Sequence, residues 1–184
     1  QMLLNHDLPF PLLSDRALDC RENPVISALI SFLSFLDSPL DDTAFISTIT
    51  SPAFSRISGI NRDFIFSWRE ENTSSPCYIR FRKDFQDGWN SLIRPFFRRV
   101  GFMPPFDLIR EIIETWEINR FFPESEAFLN HFLELVSDHE SGRENNINAL
   151  LAFINRSDNE EFRLRLNENS PGIRLMTLHK AKGL

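Results

Sequence analysis

The chain has 184 residues, 42% of them hydrophobic and 25% charged, which is enough for one well-buried domain or two small ones and unlike a disordered segment. Nineteen Phe stand against a single Tyr, so most of the aromatic surface lacks a polar handle and must be packed away, which predicts a helical core with Phe anchors. The formal net charge of −6 argues against a nucleic-acid module taken as a whole, because an acidic surface repels phosphate.

In chain order, Leu8-Pro9-Phe10-Pro11-Leu12-Leu13 reads as extended, since each proline disfavours the helical region for the residue before it. From Val25 to Leu36 the apolar residues Ile26, Leu29, Ile30, Leu33 and Leu36 share one helical face, with Pro24 in a tolerated first-turn position and Ser38-Pro39 as the stop. A second short helix is predicted over Asp41 to Ile49. From Ser51 to Pro76 the periodicity blurs, and Glu71 to Pro76 reads as a loop. Helical spacing resumes near Ile79 and runs past Trp89, Leu92 and Ile93 to Pro95, where a kink or break is expected because that residue has no N–H to donate. Three amphipathic windows follow: Leu108, Ile109, Ile112, Ile113 and Trp116; then Phe128, Leu129, Phe132, Leu133 and Val136; then Ile147, Leu150, Leu151 and Ile154. Ile173 to Leu178 is a short apolar run after Pro171-Gly172 and reads as a buried strand. Strand-like pieces at both ends with helices between suggest an inserted helical domain.

Candidate chemistry is sparse. No apolar run approaches the roughly 20 residues that span a bilayer, and the first ten residues have neither a basic region nor a continuous apolar one, so membrane and secretion are both disfavoured. Cys20 and Cys77 lie far apart with no CxxC and only four His, which excludes by spacing a disulfide framework or zinc site and fits a reducing cytoplasm; no metal is expected. There is no G-x-x-x-x-G-K-[ST] loop to cradle phosphates. Asp41-Asp42 reads as a solvated helix start, and Glu70-Glu71, Glu111/Glu114 and Glu160-Glu161 as solvated faces. His131 reads as a partly buried packing residue, and no catalytic nucleophile–His–acid set emerges. Between Tyr78 and Val100, six basic residues (Arg80, Arg82, Lys83, Arg94, Arg98 and Arg99) face two acids, a local +4 that leaves −10 elsewhere. They suit either pairing with the acidic helices after Glu111 or contact with phosphate. After the Ile173 strand come a hydroxyl (Thr177), an imidazole (His179), two ammonium groups (Lys180 and Lys182) and Gly183. This cluster suits the phosphate of DNA or nucleotide, the alternative being a basic tail after a core strand.

Ile173 to Leu184, IRLMTLHKAKGL, resembles motif V of the UvrD/Rep family of superfamily 1 DNA helicases, an apolar strand followed by M-T-[IL]-H-x-x-K-G-L. Asp7-Leu8-Pro9-Phe10 is similar to that family's G-I-P-[FY] strand, Arg21 to Ile26 to its helix-opening R-x-E-[IV] region, and Asp37 to Phe45 to its N-P-x-D-D-x-A-[FL] stretch. Where many members carry a P-x-R-G-I-G hairpin, Ser51-Pro52-Ala53-Phe54 is closer to the S-P-x-F of the helicase–nuclease recombination subunits of the RecB and AddA type.

The resemblance implies a mostly α chain in which a helical 2B-type insertion is flanked by short strand-containing pieces of a RecA-like α/β domain. Residues 1–50 would belong to the second RecA-like domain (2A), 51–168 to the insertion, and 169–184 to the return into 2A. It implies a fragment of an ATP-dependent 3′-to-5′ DNA helicase of repair and recombination, using ATP and Mg2+ in the intact parent. Single-stranded and duplex DNA and a nuclease subunit would be its partners. Thr177, His179 and Lys180 would meet the DNA backbone, while Lys182 and Gly183 would shape the turn towards the nucleotide. The fragment itself is expected to bind no cofactor and to be inactive. The rival expectation is a helical protein-interaction module with no nucleic-acid role.

Overall fold

A computed structural model describes residues 12–14, 19–71, 73, 76–142, 145–156, 160–164 and 173–175. The chain is mostly helical. Its helices are α1 (Pro24–Asp37), α2 (Asp42–Ile49), α3 (Pro52–Ser58), α4 (Arg62–Glu71), α5 (Cys77–Asp84), α6 (Gln86–Gly88), α7 (Arg94–Phe97), α8 (Pro105–Thr115), α9 (Ile118–Phe121), α10 (Glu126–Gly142) and α11 (Ile147–Ile154). Two short strands, β1 (Leu12–Ser14) and β2 (Ile173–Leu175), pair in parallel with Leu12 opposite Ile173 and Ser14 opposite Leu175. Among the described residues no helix is long and apolar enough to cross a membrane.

The central element is α1. The Asn23 side-chain oxygen accepts from the Val25 and Ile26 N–H groups at 2.9 and 3.4 Å, and Pro24 sits in the first turn, where its missing N–H leaves no bond unmade. Val25, Ile26, Ala28, Leu29, Phe32, Leu33, Phe35 and Leu36 are all buried. A helix apolar on so much of its circumference must be covered on several sides, and α2, α3, α10 and α11 all pack on it.

Rings fill the space between these helices. Phe32 lies 4.9 Å from Trp116, 5.8 Å from Phe96 and 6.3 Å from Phe35, centroid to centroid. Phe35 meets Phe45 at 4.7 Å, and Phe45 meets Phe81 at 5.3 Å. The buried cluster is continuous from Cys20 to Phe162 and crosses residue 50 without a break, since Phe45, Ile49 and Phe54 belong to it together.

The blurred stretch after Ser51 is helical. Ser51 caps α3, its hydroxyl accepting from the Phe54 N–H at 3.1 Å; Pro52 occupies the first turn, and Gly59 ends the helix at φ +70°. Here S-P-x-F is a cap, a starter and a core anchor, because Phe54 is fully buried. Seven residues are too few for a periodic signal, and α4 buries only Ile65 and Trp68 while leaving Phe64 and Phe66 exposed.

Pro95 does not break its helix. The turn before it, Trp89–Ile93, widens into a π-helix in which the Arg94 N–H bonds to the Trp89 carbonyl, and the chain continues into α7. The Leu92 carbonyl in this turn accepts the Trp116 indole N–H at 3.0 Å, a buried bond from the end of α8. The windows predicted around Ile112, Phe132 and Leu150 become α8, α10 and α11.

Phe32→Ala should lower the unfolding free energy by about 3–5 kcal/mol in a denaturant titration, because the surrounding rings cannot collapse into the space. Phe102→Ala, at a side chain 90% exposed, should stay within about 0.5 kcal/mol of the parent chain.

Candidate functional site

The predicted strand is present over Ile173–Leu175 as β2, and β1 lies beside it. A parallel pair needs a crossover connection, and here the whole helical body lies between the two strands in sequence. Thr177, His179, Lys180, Lys182 and Gly183 lie outside the described residues.

The basic stretch is described in full. Arg80, Arg82 and Lys83 lie on α5, Arg94 begins α7, and Arg98 and Arg99 follow it. All six are exposed. Arg80 is held by Asp84 one turn on, at 2.7 Å. Arg94 donates to the Asn90 side-chain oxygen at 3.2 Å. Arg99 pairs with Glu111 on α8, so the expected pairing with the acidic helix is made by this residue. Among the described residues, Arg82, Lys83 and Arg98 make no ion pair. Three solvated cations and one neutral-partnered arginine can therefore meet an anion without breaking a contact of the fold.

Other titratable groups serve packing. Burial pushes the Cys20 thiol up to about 12 and the Cys77 thiol to about 11, so neither is a thiolate nucleophile near neutrality. The Trp68 indole at 2.9 Å and the Arg80 guanidinium hold the Asp84 carboxyl below its usual value. Asp41 caps α2, accepting from the Thr43 and Ala44 N–H groups at 2.8 and 3.3 Å. Asp42, expected to be a solvated acid, is half-buried instead: one oxygen accepts from the Cys77 N–H that opens α5, and the other pairs with Arg69 of α4 at 3.2 Å. A single carboxylate thus joins three helices.

His131 is half-buried, as expected of a packing residue, with Nε2 2.8 Å from the Glu161 carbonyl. A carbonyl only accepts, so Nε2 carries the proton. It borders an open cleft of about 820 Å3 that also holds Glu134, Asp138, Glu160 and Arg163. No group of three or more His, Cys, Asp or Glu arranged to hold a metal ion occurs among the described residues.

One constellation was missed from the sequence. Arg21 forks onto Asp19 and reaches the last carbonyl of α11, beside the ring of Phe162. An acid two residues before an arginine is too common a pattern to reveal it. No protein-family model matches the chain, and no curated protein matches it.

In the native protein at pH 8 neither cysteine should react with a thiol-specific disulfide reagent on the timescale of mixing, and both should react once the chain is unfolded. Arg94→Ala and Arg98→Ala should each leave stability within about 0.5 kcal/mol, since neither side chain is buried or ion-paired. Asp42→Ala should cost about 1–3 kcal/mol by chemical denaturation, because it leaves the N–H that opens α5 without its acceptor and removes the Arg69 ion pair.

Proposed function

We propose that the chain is part of an ATP-dependent 3′-to-5′ DNA helicase of superfamily 1, on the helicase–nuclease recombination branch. It supplies the turn that stands between DNA and nucleotide together with an accessory helical domain. The observation that carries this reading is the segment Ile173 to Leu184, whose sequence resembles motif V. Its first three residues run parallel to an N-terminal strand, with the helical body inserted between. Parallel pairing of sequence-distant strands is what a RecA-like sheet requires, and a polar turn at the end of such a strand is where its ligands lie.

On this reading Thr177, His179 and Lys180 hold the phosphates of single-stranded DNA by hydroxyl, imidazole and ammonium donors. Lys182 and Gly183 shape the turn towards the nucleotide. The sequence holds no phosphate-cradling loop, so ATP and Mg2+ would be held by another part of the parent, and the chain by itself would not turn over ATP. The exposed arginines around α5 and α7 would add sequence-independent contact with duplex phosphates.

A second reading, a helical protein-interaction module, draws on the net charge of −6 and on Phe64 and Phe66, which remain 57% and 41% exposed on α4. The two readings separate in one assay on the intact parent polypeptide. The helicase reading expects ATP hydrolysis that single-stranded DNA stimulates, with Thr177→Ala and His179→Ala each losing most of the stimulation, and no hydrolysis by the 184-residue chain alone. A parent that hydrolyses no ATP, or whose hydrolysis ignores both DNA and these substitutions, supports the interaction module instead.

A further inference from the structure

Just before α1, the chain entering the helical body meets the chain leaving it. Asp19 and Arg163 form an isolated antiparallel bridge. Arg21 sits on this junction with most of its donors engaged. Nε donates to Asp19 Oδ1 at 3.0 Å and one terminal nitrogen to Oδ2 at 2.6 Å, a fork-on-fork pair. The other terminal nitrogen donates to the carbonyl of Ile154, the last residue of α11, at 3.0 Å and to that of Arg156, two residues further on, at 3.1 Å. The guanidinium plane also lies over the ring of Phe162, with its central carbon 4.8 Å from the centroid. Phe162 is fully buried and packs on Phe153 of α11.

The contact with Ile154 satisfies a carbonyl that the helix leaves open. The carbonyls at a helix end have no partner within the helix, and a cation there meets the negative end of the helix dipole. Burial works against ionisation of Asp19, but the hydrogen bonds and charge of Arg21, with Arg163 further off, outweigh it and hold the carboxyl below its usual value. The pair is therefore charged near neutrality.

We propose that Arg21 is a clasp that locks the incoming segment Asp19–Asn23 to the outgoing segment Phe162–Arg163 and so holds the β1–β2 pair in register against the helical body. Two strands of three residues have too few hydrogen bonds to persist as an isolated pair, so their pairing depends on how closely their chains are already held. Asp19 lies five residues beyond β1 and Arg163 ten residues before β2, so joining these two points shortens the loop that must close to pair the strands. The guanidinium suits this role because it forks to a carboxylate, caps two carbonyls and stacks on a ring at once. An ammonium with three tetrahedral donors cannot do all of these. That the clasp also passes movements of the helical body to the segment after β2 rests on the helicase reading above; the clasp itself does not.

Amide hydrogen exchange on the 184-residue chain, followed by mass spectrometry, tests it without ATP or DNA, so its outcome is separate from that of the hydrolysis assay. Arg21→Ala and Arg21→Lys should each speed exchange across Leu12–Ser14 and Ile173–Leu175 at least tenfold. The core amides of α1 and α8 should change less than twofold. Equal acceleration in strands and core would reduce Arg21 to a residue that stabilises the whole fold and would overturn the proposal, as would strand exchange unchanged in both variants. Should Arg21→Ala fail to fold, Asp19→Asn carries the same comparison, since it keeps the guanidinium and removes the charge it forks onto.

Discussion

Phe32 touches rings from α7, the end of α8 and its own helix, and the arrangement of the other helices follows from what has to be stacked on α1. Phe carries no hydroxyl, so this packing demands no internal hydrogen bonds and is set by ring shape and by edge-to-face or offset contact, each worth about 0.5–1.5 kcal/mol beyond area burial. Two Trp on α4 and at the end of α8 do carry an N–H, and each finds an acceptor: Asp84 for Trp68 and the Leu92 carbonyl for Trp116. These two bonds help fix the positions of α4 and α8 against α5 and the π turn, a directional control that a purely phenyl core lacks.

The same logic explains where polar side chains are drawn inward. Leaving a buried donor or acceptor unmade costs more than a made bond returns, and the fold places a partner at three gaps of this kind. The turn before Pro95 is wide, and the indole of Trp116 donates to the Leu92 carbonyl within it. Helix α5 begins at Pro76-Cys77 with no side-chain cap of its own, and Asp42 from α2 accepts its first N–H. The end of α11 is met by Arg21. In each case the satisfying group comes from a different element, so local geometry and tertiary packing are tied together.

Charge follows a different rule, because most of it stays in water. Salt bridges such as Arg80–Asp84 and Arg99–Glu111 are exposed and contribute little to stability. Among the described residues they leave Arg82, Lys83 and Arg98 without an ion pair, in a chain whose formal net charge is −6.

Much of this was legible in the sequence because it depends on spacing along one helix. The apolar stripes over Val25–Leu36, Leu108–Trp116, Phe128–Val136 and Ile147–Ile154 gave helices, and Asp41, with Pro39 before it, sits one residue ahead of where α2 begins. What the sequence by itself determined was the mostly helical class, the burial of Phe and the resemblance of the Ile173–Leu184 segment to motif V. Only the tertiary structure decided the rest. Helices α3 and α4 bury too few residues to show a period, and Asp42 became a tie between three helices although its neighbours mark it as a solvated acid. The turn before Pro95 is wide where it could equally have broken, and Arg21 found acceptors more than a hundred residues away. The reason is common to all four: a repeat of 3.6 residues reports which face of a helix is apolar, whereas the partner of a lone polar group is set by how whole helices come to rest against one another, and that is written in no single stretch of chain.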